Sequence, residues 1–496
     1  MTTRVTIERL ATGVPGLDAV LGGGLPEFSF NLIAGQPGSG KTTLAHQIMF
    51  ALATPERPAL YCTVLGEPPL KMLRYQQQFG FFDPEALHQR VRFVNLSEEA
   101  MAGDLERVLR RIGEEVSHHE PALVFVDSFR SVMLASQDAA LHQPGLQHFL
   151  QQLGMLMTTW QATTFLIGEY FSENDPNPVF TVADGLIWLH QSAQRNSMVR
   201  QIEVKKLRGQ ASLPGLHTFR IGSQGIQVFP PAEAVMPRAA PDQAAPAARV
   251  LMGIPGLDQM LGGGLPRGYS MLVAGPSGSG KTILAAAFLA AGAAAGEAGL
   301  VAAFEQRIHP HSNPVLAALL ASGRVALLDK QSSDLSIDEI VVLLQAEIQR
   351  LGVSRVVIDS LSGFELALAP AFRADFRESL LRLVSALSAS GVTVLMTCEL
   401  EDRYTDLRFS PSGTAFLTDA IIVQRYIEVD SRLRRVMAVV KLRASGHSDE
   451  LREYRIDGQG LHVGDKLSGQ EGLLGGRPTR KLAAGPAPDG SPGGHD

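Results

Sequence analysis

Short apolar runs, each followed by a longer stretch of mixed polarity, set the rhythm of the chain. In the first half they are NLIAG at 31–35, ALYCTVL at 59–65, ALVFVD at 122–127 and TTFLIG at 163–168. MLVAG at 271–275, LVAAF at 300–304, RVVID at 355–359 and VTVLM at 392–396 answer them in the second. Runs that are apolar on both faces and alternate with helical stretches predict a mostly parallel sheet buried between helices. From Asp184 to Phe229, and again from Asp419 to Val463, strand-like segments follow one another without a long helix, which predicts an antiparallel extension at the edge of each sheet. The Ala-rich stretch after Lys281 is broken by Gly292, Gly296 and Glu297 and predicts a buried helix rather than a membrane span.

The pattern is written twice. GVPGLDAVLGGGLP at Gly13 returns as GIPGLDQMLGGGLP at Gly253, and GQPGSGKT at Gly35 returns as GPSGSGKT at Gly275, both displaced by 240 residues. VFVDS, with Asp127, matches VVIDS, with Asp359; KKLRG, with Lys206, matches VKLRA, with Lys441, at offsets that drift as loops change length. Residues 231–248 are rich in Pro and Ala, carry no hydrophobic period and suit an extended linker. The expected division is a first domain at 1–230, that linker, a second domain at 249–466, and a Gly- and Pro-rich tail at 467–496 with too little apolar surface to fold alone.

Charge narrows the partners. A net charge of −6 offers no general attraction to phosphate backbones or anionic membranes, so neither nucleic acid nor membrane is an expected partner. The two cysteines, Cys62 and Cys398, sit inside apolar runs with no metal-site or disulfide spacing, and residues 1–10 show no secretory leader; a reducing cytoplasm is the expected compartment.

Chemistry concentrates at the repeated glycine loops. Each follows a strand and opens a helix, the setting of a Walker A phosphate-binding loop. Gly35, Gly38, Ser39 and Gly40 in the first copy, and Gly275, Gly278, Ser279 and Gly280 in the second, are small enough to let backbone amides turn onto phosphates. Lys41 and Lys281 have the role of neutralising the β and γ phosphates of ATP, and the hydroxyls of Thr42 and Thr282 that of ligating Mg²⁺; Thr43 completes the first loop. Asp127 and Asp359 each end an apolar strand downstream and fit the second metal-side position, Walker B. Glu67 and Glu305 end the strand after each loop helix and are the candidates for orienting the attacking water; a solvated turn residue is the other reading of each. Lys206 with Arg208, and Lys441 with Arg443, place two cations on one face of a late strand, able to touch a phosphate or to form a solvated basic edge.

Taken together, the PGLD…GGGLP lead-in, both Walker A loops, both Asp-Ser pairs and the K-L-R element resemble the KaiC family of tandem RecA-like P-loop ATPases, across residues 10–465. The resemblance implies a ring, a homohexamer in most members, with ATP between subunits and the K-L-R segment of one copy reaching the nucleotide of the next. Lys206, Leu207 and Arg208, and Lys441, Leu442 and Arg443, then act in trans. By the same likeness Arg200 and Arg435, and Ser445 and His447 in the second copy, fall at nucleotide-contacting positions, whereas the first copy has Gln210 and Ser212 opposite the last two. The family pattern has two adjacent glutamates at the catalytic strand end; here Gly66-Glu67 and Glu305-Gln306 keep one each. Ala415-Phe416 stands where clock members carry a phosphorylated Ser-Thr pair, ahead of Thr418-Asp419, so a circadian role is not implied; Ser412, Thr414 and Thr418 are the nearby hydroxyls.

The function expected from this reading is ATP hydrolysis at two sites per chain, with nucleotide state controlling a regulatory protein partner. A serine/threonine kinase using the second domain is the alternative, and a RecA-type DNA filament is weighed down by the acidic balance.

Overall fold

A computed structural model describes residues 7–64, 69–135, 143–172, 177–194, 197–231, 234, 248–304, 313–329, 334–400, 417–429, 431–467, 470–471 and 479–480. The chain divides into two compact units, Met1–Val235 and Met236–Asp496.

The first unit opens with a small ladder, β1 (Arg9–Leu10) against β2 (Leu25–Pro26), bracketing the short helix α1 (Leu17–Leu21). Then come β3 (Phe30–Gly35), β4 (Ala59–Thr63), β5 (Val91–Asn95), β6 (Leu123–Asp127), β7 (Thr163–Glu169), β8 (Gly185–Gln194), β9 (Ser197–Leu207), β10 (His217–Gly222) and β11 (Gly225–Phe229). Among the described residues they form one sheet of order β11-β10-β9-β8-β3-β7-β6-β4-β5. Every pair from β8 to β5 is parallel, and β8 through β11 run antiparallel to one another. β3 is buried along its whole length, as its unbroken apolar run requires.

Alternation along each strand feeds two cores, one per face. Ile33, Tyr61 and Phe125 pack with Leu44 and Ile48 of the loop helix α2 (Lys41–Leu52). Leu32, Leu60 and Val124 pack on the other face with Val108 and Ile112 of the helix Leu105–His119 and with Leu150 and Leu153 of the helix Gln143–Thr159.

The second unit repeats the plan. A ladder of β12 (Arg249–Val250) and β13 (Leu265–Pro266) precedes β14 (Ser270–Gly275), β15 (Ala298–Ala303), β16 (Val325–Asp329), β17 (Val353–Asp359), β18 (Thr393–Glu399), β19 (Ala420–Val429), β20 (Arg432–Leu442), β21 (Arg452–Asp457) and β22 (Gly460–Lys466). Their order is β16-β15-β17-β18-β14-β19-β20-β21-β22, parallel up to β19 and antiparallel beyond it. The Ala-rich stretch is the helix Lys281–Ala294, with Leu284 and Phe288 buried against Val273 of β14. Beyond β22, β23 (Gln470–Glu471) pairs with β24 (Thr479–Arg480) inside the stretch the composition marks as a tail.

Both sheets are therefore tandem RecA-like α/β domains with antiparallel edges, as the hydrophobic rhythm predicts. In each, the strand carrying the glycine loop is central, and its carboxyl end opens where ligands bind in open α/β sheets.

Candidate functional site

Some helices of this chain are capped by side chains: Asp104 accepts amide hydrogen bonds from Glu106 and Arg107, and Ser336 accepts one from Glu339, while others, α1 among them, are not. The two loop helices are uncapped. Their N-caps, Gly40 and Gly280, adopt left-handed backbone at φ 104° and 98° and supply no capping side chain. The left-handed conformation is what demands glycine; a Cβ would also press on the terminal methyl of Ile221 at 2.9 Å from Gly40 and of Ile456 at 2.5 Å from Gly280. The amides at these helix starts are left for an anion, which the positive end of the helix favours.

The lysine of each loop turns back over it. Lys41 Nζ donates to the Gln36 carbonyl at 2.8 Å, and Lys281 Nζ donates to the carbonyls of Gly275 and Pro276 at 2.9 and 2.8 Å. Burial pulls both ammonium groups below their ordinary pKa; Glu169 and Asp127 oppose this at Lys41, and Glu399 and Asp359 oppose it at Lys281. An anion between lysine and amides would offset that desolvation by favouring the charged lysine.

The residues assigned to the metal meet in both units. Thr42 Oγ1 donates to Asp127 Oδ2 at 2.9 Å, and Thr282 Oγ1 donates to Asp359 Oδ2 at 2.8 Å. Asp127 is buried, and burial raises its pKa against the hydrogen bonds from Tyr61 and Thr42 and the charge of Lys41. In both units the peptide bond after this aspartate is cis. A hydroxyl beside a carboxylate is a hard oxygen donor set that suits Mg²⁺, which typically takes few protein ligands and completes its shell with phosphate and water. Among the described residues no group of three or more His, Cys, Asp or Glu side chains could hold an ion unaided.

Two carboxylates that the motifs do not single out stand beside the loops. Glu169 ends β7 in register with Gly35, Glu399 ends β18 in register with Gly275, and each acts electrostatically on the loop lysine. The signal was available in the repeat, since TTFLIG and VTVLMTC are both followed by glutamate. Glu67 and Glu305 lie outside the described residues, as do Ser412, Thr414, Ala415 and Phe416. Thr418 is buried at 1% exposure, which withholds its hydroxyl from a phosphate donor.

The K-L-R residues lie at the other end of the strands. Leu207 pairs with Gly185, which pairs with Asn31 at the start of β3; Leu442 likewise pairs with Ala420, which pairs with Met271. Four strand residues separate each from its own loop, roughly 13 Å at about 3.3 Å per residue. Lys206 Nζ donates to the carbonyl of Thr181 at 3.0 Å, Lys441 Nζ to that of Thr418 at 2.6 Å, and Arg208 and Arg443 pair with Asp184 and Asp419. Burial and the neighbouring arginine lower the pKa of both lysines, opposed by those aspartates.

Ser445, which accepts a hydrogen bond from Arg249, and the exposed His447 follow β20 at this same end. In the first unit Gln210 instead donates inward to the carbonyls of Leu21 and Gly24, both at 2.6 Å. Arg200 and Arg435 are at the loop end: they pair across the sheet with Gln191 and Tyr426, whose side chains donate to the loop carbonyls of Pro37 and Ser277 at 3.3 and 3.5 Å. Arg435 also lies over the Tyr426 ring at 5.5 Å.

Two phosphate-binding loops on two RecA-like sheets define a tandem P-loop protein. A family model for the KaiC ATPase matches residues 10–233 and 250–468, and the chain belongs to the KaiC ATPase family. It is 27% identical over 488 residues to the "Circadian clock protein KaiC3" of Synechocystis sp., covering 95% of each chain. It is also 26% identical to the "Circadian clock oscillator protein KaiC" of Rippkaea orientalis, covering 96% of this chain and 92% of that one, and 26% identical to its namesake in Picosynechococcus sp., covering 96% and 93%.

Proposed function

We propose that the chain binds ATP with Mg²⁺ at both loops and hydrolyses it to ADP and phosphate. The observation that carries this reading is the twice-built set of lysine, threonine and aspartate around an uncapped helix start. When bound, the ion supplies positive charge to the phosphate oxygens. The protein's own groups do the rest. The helix amides and the lysine hold the triphosphate, and Thr42–Asp127 and Thr282–Asp359 fix the metal side. Glu67 and Glu305 are proposed to orient water, and Glu169 and Glu399 add a carboxylate next to each loop lysine.

The remoteness of Lys206, Arg208, Lys441 and Arg443 from their own loops supports a trans arrangement, in which they complete a site on a neighbouring copy. We take the working form to be a closed ring, a homohexamer, whose nucleotide state controls a regulatory protein partner in the cytoplasm; the relatives' names attach them to circadian clocks. No helix among the described residues is long and apolar enough to cross a membrane.

The test is phosphate release from the full chain with ATP and Mg²⁺, paired with its native mass. Turnover by an oligomer, abolished in Lys41→Ala/Lys281→Ala, is expected; undiminished turnover in that double variant removes the assignment.

A further inference from the structure

The two metal-side aspartates are held from opposite sides. Asp127 lies between β4 and β7, in register with Thr63 and Ile167. Tyr61, two residues before Thr63 and so on the same face of β4, donates its hydroxyl to Asp127 Oδ2 at 2.8 Å. In the second unit Asp359 is in register with Ala303 of β15, and Ile358 with Met396 of β18, which sets Thr397 beside Asp359. Thr397 donates to Asp359 Oδ1. The residue placed as Tyr61 is placed in the first unit is Val301, and the residue placed as Thr397 is Ile167. Each unit therefore has one donor and one apolar side chain in these two flanking positions, in exchanged order.

The exchange alters the carboxylate that a metal would meet. In the first unit both hydroxyls, from Thr42 and Tyr61, converge on Oδ2. In the second they divide, Thr282 on Oδ2 and Thr397 on Oδ1. Tyr61 has no freedom to let go. It is wholly buried, its ring 4.7 Å from His46, 5.3 Å from Phe93 and stacked on Phe125 at 5.8 Å. A threonine on a strand can trade its partner by one rotation about χ1, whereas a packed phenol cannot.

We propose that Tyr61 is a positioning residue of the first loop site, fixing from β4 the orientation of the Asp127 carboxylate as Thr397 fixes that of Asp359 from β18 in the second, and that the two sites of one chain therefore hold their divalent ion unequally. This rests on the reading of Thr42 and Asp127 as the metal side of a nucleotide site.

The experiment uses the full chain carrying Lys281→Ala, so that only the first site binds. Electron paramagnetic resonance of Mn²⁺ with a non-hydrolysable ATP analogue reads metal affinity, and analogue binding in EDTA reads nucleotide affinity alone. Tyr61→Phe keeps the ring and removes the donor; it is expected to weaken Mn²⁺ binding about tenfold while leaving metal-free analogue binding within about twofold. Adding Ile167→Thr restores a donor from the position Thr397 occupies in the other unit, and is expected to regain most of the loss. In the Lys41→Ala chain, Thr397→Val is expected to weaken Mn²⁺ at the second site likewise.

Unchanged Mn²⁺ affinity in Tyr61→Phe overturns the proposal. So does a loss that Ile167→Thr leaves untouched in a folded protein, because a hydroxyl donor to the Asp127 carboxylate would then not be what holds the ion. If the Lys281→Ala parent itself shows no metal-dependent analogue binding, the reading of the site fails instead, which is a separate result.

Discussion

Glu169 closes β7 in register with Gly35, the first glycine of the phosphate-binding loop, and Glu399 stands in the same relation to Gly275. A carboxylate fixed there can keep the neighbouring lysine charged or accept a proton as water attacks. Glu169→Gln is expected to lower phosphate release from the first site about 10- to 100-fold with little change in analogue affinity. Single-turnover kinetics in the Lys281→Ala chain measure it. A rise in the dissociation constant at unchanged rate would instead reduce Glu169 to a binding group.

Lys206 and Lys41 belong to opposite ends of one sheet, and in the proposed ring their cooperation crosses between copies. Mixing Lys41→Ala chains with Lys206→Ala chains, both carrying Lys281→Ala, is expected to recover turnover that neither has alone. The intact loop of the second then faces the intact lysine of the first. Strict additivity of two inactive proteins would show the lysine working within its own chain.

Arg355 predicts a stability effect away from both sites. It is 3% exposed on β17, pairs with Glu297 at 2.6 Å and donates to the carbonyls of Leu251 and Phe288, both at 2.7 Å. Arg355→Ala removes the buried guanidinium and its donors to two carbonyls while Arg267 still pairs with Glu297, and is expected to cost about 1–3 kcal/mol. Denaturant unfolding of the full chain reads this, with Arg355→Lys intermediate because it keeps the charge and loses the fork.

His46 predicts a pH effect. Wholly buried in the loop helix against Tyr61, its imidazole is pushed by burial down to about 4 from the ordinary 6.5. The folded state then holds His46 neutral while the unfolded chain protonates it, so its contribution is complete above pH 6.5 and is lost as pH falls from 6.5 towards about 4. The loss amounts to about 3 kcal/mol at the acid end. His46→Leu is expected to flatten the decline in unfolding free energy between pH 7 and pH 5; parallel curves would refute it.

Legibility in the sequence followed burial. β3, β4, β6 and β7 are apolar on both faces and stand out as runs, whereas β5 at the sheet margin reads VRFVN, with Arg92 and Asn95 exposed and breaking the apolar pattern, and β16 reads VALLD, with Leu327 exposed. Such half-buried edges look like loops. The loop lysines, threonines and aspartates were readable because their motif is short and local. Glu169 and Glu399 belong to no such motif: the repeat shows a glutamate after each of those strands, and only strand register brings it to the loop. Tyr61 was hidden more deeply: a tyrosine inside an apolar run reads as core filling, and its hydroxyl acquires meaning only when β4 is laid beside β6.

The closure of each unit on itself has a further consequence. A Cβ on Gly16, at the start of α1, would run into the Val228 carbonyl at 2.0 Å, and the Val228 amide donates to Pro15 at 2.9 Å; in the second unit a Cβ on Gly256 would meet Val463 at 2.7 Å. The last strand of each fold thus seals against its own opening turn, so entrance and exit are neighbours. A module of that shape can be duplicated head to tail with only a brief connector, and neither copy must surrender a strand to the other.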